Sequence, residues 1–308
     1  MTETTSQLNS QQSAVKTEAQ TNMYKNILVG IDGSRCSKAA LLNASQWITR
    51  HGGRMLLVHA VYFDEEEFSI APGQREKRLK LGKEMCYQIK EEVSELGYEV
   101  ESLVCEGEPH DVIVDIAGSK NMDLVTIGTH GTKGIKKLFM GSVTSRVIAS
   151  SPCDVLVVKE PLGEHNRNYE SILLSYDGSD HSKTALRHAC RLAKIEDAEI
   201  TALYVIPQQY LEMVEFFSTS LIKENLLKDA RKIIGEAKEL ALDQGVAIKT
   251  EIAEEGNVAE RIIDTAHKLG SDLIIRGTYG WKGIDKAVIG SITEQVIVGV
   301  PCHVLVVK

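Results

Sequence analysis

Long apolar runs are missing from this sequence. The longest is a few residues, far short of the roughly 20 that a membrane-spanning helix needs. An excess of positive charge is missing too: 35 Lys and Arg stand against 43 Asp and Glu, for a formal net charge of −8. That balance argues against general affinity for nucleic acid or an anionic membrane and leaves room only for a local basic patch. Aromatic residues are scarce, at 5%. The six cysteines, Cys36, Cys86, Cys105, Cys153, Cys190 and Cys302, form no Cys-x-x-Cys pair, which excludes a disulfide framework and the usual zinc spacing. Buried thiols in a reducing compartment are expected. Cys153 and Cys302 follow Pro152 and Pro301 at matching places, which keeps a redox role as the alternative. The opening segment, residues 1–23, has neither a basic end nor an apolar stretch. It is expected to be a disordered polar tail rather than a secretory signal.

What the sequence does have is a repeat. "NILVGIDGSRCSKAAL" (Asn26 to Leu41) returns as "SILLSYDGSDHSKTAL" (Ser171 to Leu186), and "DLVTIGTHG" (Asp123 to Gly131) as "DLIIRGTYG" (Asp272 to Gly280). The second copy carries a four-residue insertion after its second apolar run. A length of 308 residues suits two domains of roughly 150 residues. The expected division is a domain at 24–159, a polar Pro- and Gly-containing linker at 160–170, and a second domain at 171–308.

Each copy alternates near-continuous apolar runs with amphipathic segments. In the first copy the runs are "NILVGID", "RMLLVHAV", "EVESLVC", "DLVTIG" and "DVLVV"; in the second they are "SILLSYD", "EITALYVI", "AIKTEIA", "DLIIRG" and "HVLVV". Continuous hydrophobicity points to strands of a parallel sheet covered on both faces. The alternation predicts an α/β fold of two open, doubly wound, Rossmann-like sheets. Ligands of such folds bind beyond the carboxyl ends of the strands, where the strand order reverses.

A glycine pattern follows the fourth strand of each copy. Gly128, Gly131 and Gly141 precede Ser142, Val143 and Thr144; Gly277, Gly280 and Gly290 precede Ser291, Ile292 and Thr293. A bare loop lets a ligand approach the backbone. The start of the next helix offers N–H groups that favour an anion, and Ser142 and Thr144 add hydroxyl donors. Turn-forming glycines and a capping serine are the plain alternative. The pattern is neither a P-loop, which ends Gly-Lys-Ser/Thr, nor a dinucleotide loop, which follows the first strand.

Gly-x-x-Gly, nine residues, Gly-Ser and then Pro-Cys-x-Val-Leu-Val-Val resembles the ATP-binding branch of the universal stress protein family, over nearly the whole chain after Tyr24. The resemblance implies five parallel strands of order 3-2-1-4-5 in each domain. It also implies a pseudo-twofold pairing through the fifth strands, which would cover two apolar edges. The fourth-strand loop, with Ile127 or Arg276 just before it, and the following helix start would hold ribose and phosphates. Asp32 and Asp177, which end the first strands, would face the nucleoside, and the backbone near Ala60 and Val205 would meet adenine. A turn-forming Asp before Gly-Ser is the alternative for Asp32 and Asp177. The implied ligand is ATP, ADP or AMP, with Mg²⁺ through the phosphates.

No Ser–His–acid set, metal cluster or base for an attacking water stands out. The expectation is a cytoplasmic nucleotide-binding regulator, open to further homodimerisation, whose connection to the stress response is what the resemblance implies. A slow Mg²⁺-dependent ATPase or nucleotidyl-transferring enzyme is the alternative. The two sites are expected to differ. The first loop carries Lys133, Lys136 and Lys137 and is expected to hold triphosphate more tightly, whereas the second has Tyr279, Trp281 and Asp285. Arg276, where the first copy has Ile127, is expected to contact the nucleotide; snorkelling to solvent or pairing with a nearby carboxylate is the alternative.

Overall fold

The computed structural model describes residues 23–63, 73–95, 100–131, 140–160, 168–208, 220–254, 256–278 and 290–308. All but one residue of the polar opening segment, most of the linker, and the loop residues Lys133, Lys136, Lys137, Tyr279, Gly280, Trp281 and Asp285 lie outside these residues.

The first copy runs β1 (Asn26–Gly30), α1 (Arg35–His51), β2 (Arg54–Val61), α2 (Gly73–Glu95), β3 (Val100–Glu106), α3 (Pro109–Ser119), β4 (Leu124–Gly128), α4 (Ser142–Ser150) and β5 (Asp154–Val158). The second runs β6 (Ser171–Ser175), α5 (Asp180–Glu196), β7 (Glu199–Val205), α6 (Ser220–Asp243), β8 (Lys249–Ala253), α7 (Val258–Leu269), β9 (Leu273–Gly277), α8 (Ser291–Gly299) and β10 (His303–Val307). Helix ends follow local chemistry. The hydroxyls of Ser34 and Ser179 accept from the N–H groups of Ser37 and Ser182 and so cap α1 and α5, while the Asn257 carbonyl oxygen caps α7.

The strands form one ten-stranded sheet of order β3-β2-β1-β4-β5-β10-β9-β6-β7-β8. Within each copy all pairings are parallel and the order is 3-2-1-4-5, as expected. The copies join through an antiparallel pairing of the fifth strands, Leu156 opposite Leu305. The two apolar fifth-strand edges are thus removed from solvent.

One face of the sheet, with Ile27, Val29, Leu174 and Ile275, packs under α1, α2, α5 and α6. The other, with Leu28, Val125, Leu173 and Ile274, packs under α3, α4, α7 and α8. The outer strands depart from the expectation of continuous burial. β3 and β8 are only partly covered and carry exposed Glu101, Glu106 and Lys249. Charge on a free sheet edge discourages pairing with another chain.

Polar side chains meet at the seam between the copies. The Tyr24 hydroxyl donates to Asp154 Oδ2 at 2.7 Å, and His188 Nδ1 lies 2.9 Å from the same oxygen. Asn43 donates to the hydroxyl of buried Tyr169 at 3.1 Å. Buried Glu196 of α5 meets Arg50 and His51, which end α1.

Candidate functional site

β1 and β4 are neighbours, yet the helices that follow them pack on opposite faces of the sheet, α1 on one and α4 on the other. The chain parts at their carboxyl ends and opens a crevice. β6 and β9, followed by α5 and α8, repeat this in the second copy. Those sequence-predicted residues that are among the described ones gather here.

Asp32 and Asp177 enter turns whose next residues, Gly33 and Gly178, have φ of +80° and +81°, a region that disfavours any side chain. Asp32 Oδ1 accepts from Ser34 N–H at 2.9 Å, and Asp177 Oδ1 accepts from Ser179 N–H at 3.0 Å. The turn role expected of these residues is therefore present. The second oxygen of Asp32 faces the loop after β4: a Cβ on Gly131 would stand 2.5 Å from Oδ2.

Gly128 and Gly277 serve packing rather than open approach. A Cβ on either would lie 2.6 or 2.7 Å from the Cβ of Cys36 or His181 in the first turns of α1 and α5. The repeat register alone points to Cys36 and His181, at equal places after Asp-Gly-Ser, but nothing in their chemistry marks them as crevice residues. Gly141 is drawn back to the end of β4, its N–H donating to the Thr129 carbonyl at 2.9 Å. The Thr144 hydroxyl donates to the Gly128 carbonyl at 2.8 Å.

The structure gives the N-cap role to Gly141 and Gly290 instead of to Ser142 and Ser291, which are the first residues of α4 and α8. With glycine at the cap, neither helix start has a capping side chain of its own, unlike α1, α5 and α7. The amides of Ser142 and Val143, and of Ser291 and Ile292, thus belong to the unsatisfied first turn that favours an anion.

Backbone parity places Ala60 and Val205. The Val58 carbonyl accepts from Ile31 N–H at 2.9 Å, and the Val61 carbonyl accepts from Gly107 N–H on the other side at 3.1 Å. Ala60 shares parity with Val58, so its N–H and C=O face the space past the end of β1. Val205 stands likewise two residues beyond Leu203, whose carbonyl accepts from Tyr176 N–H at 3.0 Å. Such an edge offers both a donor and an acceptor. His59 is a packed residue, its Nδ1 2.8 Å from the Ile31 carbonyl.

The two crevices differ at one position above all. Ile127 is buried in the apolar layer under α3 and α4. Its counterpart Arg276 reaches back toward its own loop, with Nε donating to the Gly277 carbonyl at 3.4 Å. Burial pushes its guanidinium down to about 10, opposed by the nearby Asp177 carboxylate. Among the described residues no group of three or more His, Cys, Asp or Glu could hold a metal ion.

Two doubly wound α/β domains that share one sheet, each with a crevice at its switch point, define the class. The model of the universal stress protein family matches residues 23–159 and again 168–308, and the chain belongs to that family. A universal stress protein of Methanocaldococcus jannaschii is 38% identical over 141 residues, covering 46% of this chain and 82% of its own length. Another from the same archaeon is 32% identical over 157 residues, covering 44% of this chain and 96% of its own. Among solved structures, a universal stress protein from Archaeoglobus fulgidus overlays 93% of this chain and 98% of its own with a TM-score of 0.68 at 19% identity. That likeness extends to the fold of the full tandem chain.

Proposed function

We propose that the protein binds an adenine nucleotide, ATP or its products ADP and AMP, in both crevices, and that occupancy tunes conformation or partner binding. The observation that carries this reading is the repeated helix start with glycine at its cap, at the head of α4 and of α8, beside an acidic turn at the switch point. Phosphates suit the free amides of Ser142, Val143, Ser291 and Ile292 and the loop from Gly128 through Gly131 to Gly141, or from Gly277 through Gly280 to Gly290. Ribose hydroxyls suit Asp32 and Asp177. The adenine edge, which needs one donor and one acceptor, suits the backbone of Ala60 and Val205. Membership of the universal stress protein family and the resemblance of the glycine pattern to its ATP-binding branch support the same assignment. Mg²⁺ would arrive with the phosphates, as no described side-chain cluster fits it.

The work proposed for the protein is regulatory and cytoplasmic, with 24–159 and 171–308 as its two domains and 160–170 as linker. Its partners are the nucleotide, a downstream protein and a second tandem chain. The acidic balance speaks against nucleic acid, and no helix of the described residues is long and apolar enough to cross a membrane.

The test is to purify the chain from cells and identify the nucleotide it carries by mass spectrometry, then to titrate ATP into wild type and Gly141→Val. A Cβ at 141 would stand 3.2 Å from the Thr129 carbonyl and 3.7 Å from Thr144 Oγ1, so valine there crowds the α4 start that the proposal assigns to phosphate. Wild type should bind two nucleotides per chain and the variant one. Two in the variant would refute the site.

A further inference from the structure

In the first copy the Gly128 carbonyl is claimed by the Thr144 hydroxyl. In the second, the equivalent Gly277 carbonyl is claimed by Arg276 Nε. Thr293, the counterpart of Thr144, is fully buried, at 0% exposure, and its hydroxyl has no hydrogen-bond partner among the described residues. Arg276 Nη1 is buried and likewise without a partner. The Thr293 hydroxyl lies 3.7 Å from where a Cβ on Gly290 would stand, so it sits directly beneath the cap of α8. A buried donor without an acceptor costs free energy and calls for an explanation. Here two such donors, one of them charged, belong to β9 and α8, the strand and helix that bound the second crevice, and the α8 start has glycine as its cap.

We propose that the second crevice is an anion site with its own fixed cation: Arg276 and Thr293 donate to a nucleotide phosphate there, so that binding needs no divalent metal. This rests on the nucleotide reading above and names how the two sites divide. Arg276 is planar, always charged near neutral pH and able to give two parallel hydrogen bonds to phosphate oxygens. The first crevice has apolar Ile127 at this place and among the described residues supplies no such charge, which leaves neutralisation of its phosphates to Mg²⁺. The Asp177 carboxylate favours the charged guanidinium by its coulombic effect and opposes the cost of burial.

The experiment is calorimetric titration of ATP into the full chain, with Mg²⁺ and with EDTA. Wild type should bind two nucleotides with Mg²⁺ and one with EDTA. Arg276→Ile, which copies the first crevice, should lose the EDTA-resistant site by roughly ten- to a hundredfold in affinity, the loss of a charge-assisted bond, and keep two sites with Mg²⁺. Thr293→Val changes no hydrogen bond within the fold, so its melting temperature should hold or rise while the EDTA-resistant site weakens. Two Mg²⁺-dependent sites in wild type, or an EDTA-resistant site indifferent to both substitutions, overturns this division and spares the nucleotide reading. No nucleotide bound in either buffer overturns both.

Discussion

Glu196 shows how strongly the two copies depend on each other. It is buried on α5, and its oxygens meet Arg50 and His51 of α1, with His51 Nε2 at 2.6 Å, and also accept from Tyr169 N–H at 3.3 Å. Glu196→Gln keeps the shape and removes the charge. Removing one partner of a buried ion pair costs about 3–5 kcal/mol. Arg50 retains 24% side-chain exposure and a second acceptor, Asn168 Oδ1 at 2.7 Å, which lets water recover part of the loss and brings the expected cost to about 2–3 kcal/mol. At about 2–4 °C per kcal/mol for large domains, the melting temperature should fall by roughly 4–12 °C. Burial raises the Glu196 carboxyl, but the His51 hydrogen bond and the Arg50 and His51 charges outweigh it and hold the group below its ordinary value of 4.5. A lowered folded-state value means that the contribution is complete above pH 4.5 or so and is lost as pH falls through that lower value. Scanning calorimetry of wild type and variant should therefore show a constant difference near neutrality that closes in acid. A drop below about 2 °C at pH 7, or a difference that grows on acidification, would refute the argument.

Other outcomes follow from the same geometry. Thr144→Val strands the buried Gly128 carbonyl and should cost about 1–3 kcal/mol by chemical denaturation, whereas Thr293→Val, whose hydroxyl has no described partner, should cost nothing. Burial pushes the thiols of Cys86, Cys153 and Cys190 up to about 11 and that of Cys302 to about 12. A thiol reagent at pH 8 should thus label partly exposed Cys36 and Cys105 first, and early reaction at Cys302 would revive the redox alternative. ATP turnover, followed by phosphate release with Mg²⁺, should stay far below the roughly 10 per second of dedicated enzymes; a rate near that value favours the ATPase.

The repeat, the strand–helix alternation and the glycine pattern are all local in the sequence. They therefore determined, without coordinates, the α/β class and the place of the crevice, whereas the order 3-2-1-4-5 was implied by the family resemblance. Period and turn chemistry depend on neighbouring residues, and Asp32-Gly33-Ser34 writes its own turn. The pairing of β5 with β10 was implied by the resemblance and agrees with the physical need to cover two apolar edges.

Only the tertiary structure decided the division of labour within the pattern. Gly128 is glycine because Cys36, distant in sequence, passes against it, and Gly141 rather than Ser142 caps α4 because Thr129 holds its amide. The same carbonyl, on Gly128 or Gly277, is taken by a threonine in one copy and by an arginine in the other. Such choices depend on which distant groups compete for one acceptor in a space closed by packing, and no local pattern records that competition.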